Sequence, residues 1–244
     1  GKTIWKTDRS VDLATLQKET RKAYATPLLV TIEGREQLIS PGAHAVYGYD
    51  PATGEELWRF RYTGFSNVAR PVLDDKHLYI NTGYMKPQTL ALKLGGSGDL
   101  TDTHLVWKNT AGNPNKPSPL LIDGLLYLVS DNGGVATCLE AETGERIWTK
   151  RLRGNFSASP LYADGRIYVC DQDARTFVLR PGREYAELAV NSLDDGLMVV
   201  GLEGFNVVIG NGIRADQFDF MDKYGMMAVP FSTPEFVEKV KDHP

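Results

Sequence analysis

The sequence is poor in the residues that build reactive sites. Among its 244 residues there are two cysteines, Cys138 and Cys170, and four histidines, His44, His77, His104 and His243. The cysteines are far apart and form no Cys-x-x-Cys, which excludes the common thiol metal and redox motifs. They read as small core hydrophobes, with a disulfide as the alternative. The histidines share no ligand spacing, so a zinc site is not indicated. No G-x-S-x-G and no Ser/His/Asp arrangement is present. "GGSGD" at Gly95 to Asp99 lacks the Lys-Ser/Thr that completes a phosphate loop. No run of 18 apolar residues occurs, which excludes a membrane-spanning helix. No basic run stands out and the net charge is -4, so a nucleic-acid footprint is absent.

What is abundant is repetition. Trp5, Trp58, Trp107 and Trp148 recur at intervals of roughly 40–50 residues. Pro27, Pro71, Pro119 and Pro160 each open an apolar run and recur at similar intervals. That interval is the length of a four-stranded propeller blade. The unit from Pro119 to Trp148 shows the pattern. "PLLI", "LLYLVS", "VATCLE" and "RIWTKRL" read as four strands, separated by Asp123-Gly124, "DNGG" and "AETGE". Asp164-Gly165 repeats the first of these turns. Asp74-Asp75-Lys76 replaces it in the unit from Pro71, where "HLYIN" keeps the strand, and the unit from Pro27 is looser, with "IEGREQLIS" there. The expectation is an all-β fold: a partial β-propeller of about four four-stranded blades, with Trp5 as the last strand of an earlier blade.

"DPATGEELW" (Asp50 to Trp58) and "EAETGERIW" (Glu140 to Trp148) are near copies. Asp50 is placed to bond backbone N–H groups two residues on, Pro51 fixes φ, and Gly54 accepts a positive φ. Asp50, Thr53, Gly54, Trp58, Trp107, Thr143, Gly144 and Trp148 therefore read as structural repeat residues, each tryptophan covering a seam between blades. Glu55, Glu56, Glu145 and Arg146 read as solvated hairpin charges. Glu55 and Glu56 cannot act as an acid/base pair, because successive strand residues face opposite sides.

"YGYDPATGEELW" and "TCLEAETGERIW" resemble the A-x-D-x-x-T-G-x-x-x-W repeat of the PQQ-like β-propellers, a superfamily that includes quinoprotein dehydrogenases and the outer-membrane assembly factor BamB. The resemblance covers roughly residues 1–193. It implies a larger seven- or eight-bladed ring, outside the cytoplasm. It does not imply catalysis. Quinoprotein dehydrogenases carry an adjacent cysteine pair and a calcium site of Glu, Asn and Asp, and neither is found here. The expectation is thus no PQQ and no calcium, no catalytic residues, and a BamB-like scaffold that binds protein or peptide partners. A quinoprotein oxidoreductase and a carbohydrate- or polymer-binding propeller are the rival readings. The chain opens on Gly1 and reads as a fragment, so a signal peptide would not be visible. Its open edges would pair with missing blades or with another chain.

Propeller ligands would meet the loops between one blade's last strand and the next blade's first. These are Asp8 to Thr26, Phe65 to Arg70, Thr110 to Ser118 and Gly154 to Ser159, and the first is long enough for a short helix. Asn67, Arg70, Asn113, Lys116, Asn155 and Phe156 are the candidate contact residues. Two departures from the repeat are visible. Gly95 to Thr103 interrupts the third strand-to-strand turn and reads as a longer loop. Tyr185 falls near the fourth tryptophan position. Residues 1–196 form the blades by this reading. Residues 197–244 diverge into a tail of α/β character, read as strand, helix, strand, helix. Within it "NVVIG" is β-branched, and "GNGIRA" (Gly210 to Ala215) is a weak match to a dinucleotide-binding turn.

Overall fold

The computed structural model describes residues 1–192 and the backbone of two further strands, Leu197–Val200 and Asn206–Ile209. The expected helices of the tail and its dinucleotide-like turn lie outside these residues.

The described residues form four successive antiparallel sheets, which confirms the all-β partial propeller. Blade one holds β1 (Leu28–Ile32), β2 (Arg35–Pro41), β3 (Ala45–Tyr49) and β4 (Glu56–Arg61). Blade two holds β5 (Val72–Leu73), β6 (His77–Asn81), β7 (Thr89–Lys93) and β9 (Leu105–Asn109), with β8 (Gly98–Asp99) lying between the last two in sequence. Blade three holds β10 (Leu120–Ile122), β11 (Leu125–Val129), β12 (Val135–Glu140) and β13 (Arg146–Arg151). Blade four holds β14 (Leu161–Ala163), β15 (Arg166–Cys170), β16 (Arg175–Arg180) and β17 (Ala186–Ser192). Beyond it, β18 (Leu197–Val200) pairs antiparallel with β19 (Asn206–Ile209), so "NVVI" is a strand as expected.

The first hairpin of blades three and four turns on Asp123-Gly124 and Asp164-Gly165. All four residues have positive φ (48°, 74°, 47° and 68°), the signature of a type I′ turn. Glu33-Gly34 does the same in blade one at 50° and 77°, so this looser unit keeps the turn with Glu in place of Asp. Blade two uses a side chain instead. The Asp74 carboxylate accepts the N–H groups of Lys76 (2.8 Å) and His77 (2.7 Å).

Alternation along the strands divides each blade's apolar residues between its two neighbours. Leu126 and Leu128 pack with Tyr79 and Ala91 of blade two. Tyr127 and Val129, one step along the same strand, pack with Ile167, Val169 and Phe177 of blade four. Ile39, Val46 and Phe60 meet Leu78, Ile80 and Leu92 across the first seam. The core is therefore the stack of seams, not a single centre. Among the described residues the outward side of blade four has no such cover on Leu161, which is 61% exposed.

Each blade also carries one bulge between its third and fourth strands, after Gly48, Ala91, Cys138 and Val178. Trp58, Trp107 and Trp148 stand opposite the first three of these residues. In blade four the residue in that register is Ala189, which pairs with Val178. Tyr185 is therefore not at the tryptophan position; it precedes the strand and packs edge-on against Trp148, ring centroids 5.3 Å apart.

The tryptophans lock each blade to the turn of the next. Trp107 of blade two donates its Nε1–H to the Ala141 carbonyl of blade three (2.8 Å). Its ring lies over Gly144, where a Cβ would come within 2.6 Å of it. Trp148 donates to the Gly182 carbonyl of blade four (3.0 Å). Trp5 donates to the Pro51 carbonyl of blade one (2.8 Å) and covers Gly54. Trp5 thus fills the position expected of it, but no strand forms among residues 1–27, because no adjacent strand pairs with that segment. A 3-10 turn at Lys18–Arg21 is the short helix of the first loop.

Trp58 is the exception. It turns onto Gly48 of its own blade and donates to Gln37 Oε1 at 2.7 Å. The turn it would cap in blade two is replaced by the Gly95–Thr103 insertion. That insertion is not simply a loop: β8 pairs parallel with β4, Gly98 opposite Trp58 and Asp99 opposite Arg59. Arg59 then joins three segments, reaching Glu56 (3.0 Å), Asp99 (3.1 Å) and Ser10 (3.4 Å). Glu56 is accordingly not a solvated tip charge. Ser10 and Arg59 cover it, and its side chain is 15% exposed.

The serines before Pro119 and Pro160 have a structural use. Ser118 Oγ accepts the Arg70 N–H (2.9 Å), and Ser159 Oγ accepts the Ser118 N–H (3.0 Å). These bonds join successive blades at the start of their first strands. Ser159→Ala leaves the Ser118 N–H without this partner and should destabilise the protein by ~1 kcal/mol, read from a urea unfolding curve.

Several carboxylates tie turns together and titrate low as a result. The Arg35 guanidinium, helped by the Thr53 and Ala52 N–H groups, lowers Asp50. Lys76 lowers Glu142 across the seam between blades two and three. Thr101 lowers Asp99 against the opposing effect of burial. A carboxylate that is more acidic in the folded state binds protons less readily there than in the unfolded chain. Its contribution is complete above the unfolded value of about 4 and is lost as pH falls through the folded value. Thermal melts should therefore be flat from about pH 5 upward and drop steeply below about pH 4.

Candidate interaction face

Strand direction sorts the loops into two faces. The first-hairpin turns and the Thr-Gly turns share one face. The loops between second and third strands share the other with the inter-blade loops. Backbone bonds knit this second, loop face. Tyr84 N–H donates to Phe65 O (2.8 Å), Phe156 N–H to Asp131 O (2.8 Å), and Gln172 N–H to Asn155 O (2.8 Å). Tyr24 N–H donates to Asn67 O at 2.6 Å, which brings the first loop onto the same face.

The six candidate contact residues are divided by burial. Arg70 and Asn155 are exposed on this face, and Lys116 is half-buried. Asn67, Asn113 and Phe156 are buried, contrary to a role as surface contacts. Asn67 Nδ2 donates to Tyr62 Oη (2.7 Å) and Asn81 O (3.1 Å). Asn113 donates to the Pro87 and Asn109 carbonyls (both 3.1 Å) and accepts from Thr89 Oγ1 (2.7 Å). Phe156 fills the seam between blades three and four and packs on Phe177 at 5.9 Å. The inter-blade loops turn inward at these positions, so their polar side chains close the loop instead of facing solvent.

Outside the first loop, the face's carboxylates are paired with cations. Asp131 accepts the Asn115 N–H at 2.5 Å and lies 3.5 Å from Lys116 Nζ. Asp171, fully buried, accepts Arg175 Nε (2.6 Å) and the N–H groups of Asp173 (3.0 Å) and Arg175 (2.8 Å). The thiols are separate. Cys138 is buried in the seam between blades three and four, where burial pushes it up to about 12, and Cys170 is half-buried; both are free, so the disulfide alternative is not realised.

The residues that stand out lie in the loop between β6 and β7, which the sequence reading did not single out. Tyr84 is 58% and Met85 71% exposed. Met85 has φ 73°, the left-handed region that non-glycine residues rarely adopt, at the loop tip. The Tyr84 ring is fixed edge-on against Phe65 at 6.0 Å, and Phe65 against His44 at 6.2 Å. Beside them an open groove of about 420 Å³ is lined by Lys86, Pro87, Gln88, Thr110, Gly112, Asn113 and Ser130. The signal in sequence was an apolar Tyr-Met pair between Gly83 and Pro87, outside any strand.

This geometry can be set beside known proteins. The family model described as outer membrane protein assembly factor BamB matches residues 42–137 and 96–181, over half of the chain. The chain belongs to the BamB family. Among solved structures, BamB from Moraxella catarrhalis is 16% identical over 81% of this chain and 73% of its own, with a TM-score of 0.44. A quinohemoprotein alcohol dehydrogenase from Comamonas testosteroni is 13% identical over 78% of this chain and 38% of its own, at 0.52. A europium-containing methanol dehydrogenase is 13% identical over 49% of this chain and 23% of its own, at 0.41. No curated protein matches the sequence. At these identities the dehydrogenase likeness is one of fold, shared with the BamB family, and the chain spans well under half of either dehydrogenase.

Proposed function

We propose that the protein is a non-catalytic member of the BamB family that binds a protein or peptide partner through its loop face, outside the cytoplasm. The observation that carries this reading is the pair Tyr84 and Met85. They are exposed, held by Phe65 and by the loop backbone, and set beside an open groove. Exposed aromatic and methionine side chains with a rigid footing are the usual anchors of protein interfaces. The polar groups around them support the same reading. Asn67, Asn113 and Asp171 are spent on closing the loops, and Asp131 is held by the Asn115 N–H and Lys116, which leaves side chains suited to contact more than to proton transfer. Among the described residues no helix is long and apolar enough to cross a membrane.

The rival reading needs a quinone and its metal. The two thiols do not supply the adjacent pair that the resemblance to quinoprotein dehydrogenases calls for, since Cys138 faces blade four and Cys170 points from blade four's other side. Titration of the full protein with PQQ and calcium tests the proposal. It predicts no dye-linked alcohol oxidation at any loading. Saturable quinone binding accompanied by turnover would overturn it.

A further inference from the structure

The two faces of the arc differ in charge, although the turn side also carries exposed Lys93, Arg146 and Arg180 at its strand ends. On the turn face Glu33, Glu55, Asp75, Asp102, Asp123 and Glu145 are exposed, and none has an ion-pair partner among the described residues. The loop face is richer in cations. In the inter-blade loops from Tyr62 onward, and in the loops between second and third strands, the carboxylates are Asp131, Asp171 and Asp173. Each is matched to Lys116 or Arg175. Arg70, Lys86 and Arg153 are exposed there, and no carboxylate among the described residues pairs with their side chains. The first loop adds exposed Lys18, Arg21 and Lys22 and the exposed carboxylates of Asp12 and Glu19, so in a chain of net charge -4 this face still carries more unpaired cations than carboxylates among the described residues.

Lys86 belongs to the same loop as Tyr84 and Met85 and lines the groove. Arg70 precedes the first strand of blade two, its backbone bonded to Ser118 ahead of blade three, and Arg153 lies in the loop between blades three and four, its carbonyl bonded to Arg175. Lys86 therefore adjoins the apolar anchor, and Arg70 and Arg153 lie on the same face. Unpaired surface charges of one sign steer an oppositely charged ligand, and the acidic turn face repels the same ligand from the wrong side.

We propose that the loop face docks an acidic, extended polypeptide segment. An aromatic or aliphatic side chain of the segment packs on Tyr84 and Met85. Flanking carboxylates pair with Lys86 and with Arg70 or Arg153. This rests on the partner-binding reading above and adds the chemistry of the partner.

The test is peptide display from a random library on the intact protein, with the variant Arg70→Glu/Lys86→Glu/Arg153→Glu as comparison. All three substitutions are on exposed side chains, and an unchanged melting temperature verifies the fold. The expected ligands are rich in Asp and Glu around one apolar residue. They should bind the variant at least ~tenfold more weakly and lose affinity as salt rises. Neutral or basic ligands that compete at Tyr84, or acidic ligands that bind the variant equally well, overturn the charge assignment and leave the partner-binding reading standing. A library that yields no ligand overturns both.

Discussion

Replacing Trp148 with alanine should lower stability by ~3–5 kcal/mol, the range for deleting a large aromatic from a packed core. The ring sits in the last described seam, between Tyr127 (centroids 6.0 Å apart) and Tyr185 (5.3 Å), with its Nε1–H on the Gly182 carbonyl (3.0 Å). Its loss opens one edge of the seam and strips the Gly182 carbonyl of a donor at once. Tyr127, whose hydroxyl accepts the Gly182 N–H at 2.8 Å, would then hold the turn alone. Chemical denaturation followed by circular dichroism measures the change, and a loss below ~1 kcal/mol would show that the tryptophan does not lock the blades.

Phe156→Ala should cost a similar ~3–5 kcal/mol, although the residue lies in a loop. Its side chain is fully buried and meets Phe177, and its ring fills the space above Gly134, where a Cβ would come within 2.3 Å of it. A contact residue on the surface would instead change stability by less than ~0.5 kcal/mol and alter only binding. The same denaturation experiment separates the two roles, because exposed Asn155 beside it should tolerate alanine.

These two residues mark where the sequence was legible. The tryptophan spacing and the Asp-Gly and Thr-Gly turns revealed the blade period because they obey local rules of hairpin geometry. What each tryptophan covers was not legible. Trp107 reaches Ala141 and Trp148 reaches Gly182, and that reach depends on how separate sheets stack. Trp58 could not be told from the others, since its altered partner follows from β8 joining another blade's edge. Tyr185 was misplaced because the register of the fourth strand is set by sheet pairing, which puts Ala189 opposite Val178.

The loop face was half legible. The inter-blade loops were correctly placed on one side, but polar residues in a loop were read as exposed. Asn67 and Asn113 turn inward because the loops have buried backbone groups to satisfy, and amide side chains satisfy them locally. Tyr84 and Met85 could not be picked out, because an apolar pair does not by itself say which way its side chains turn. Only the left-handed backbone at Met85 and the packing of Tyr84 on Phe65 turn them outward.

The central claim is that the loop face, and not the turn face, receives a polypeptide partner. Amide hydrogen exchange, with and without a saturating display-selected peptide, tests it most directly. The account predicts slower exchange at Tyr84 to Gln88 and at Thr110 to Ser118, with no change at Thr53 to Glu55 or Thr143 to Glu145. Protection confined to those Thr-Gly turns would contradict it.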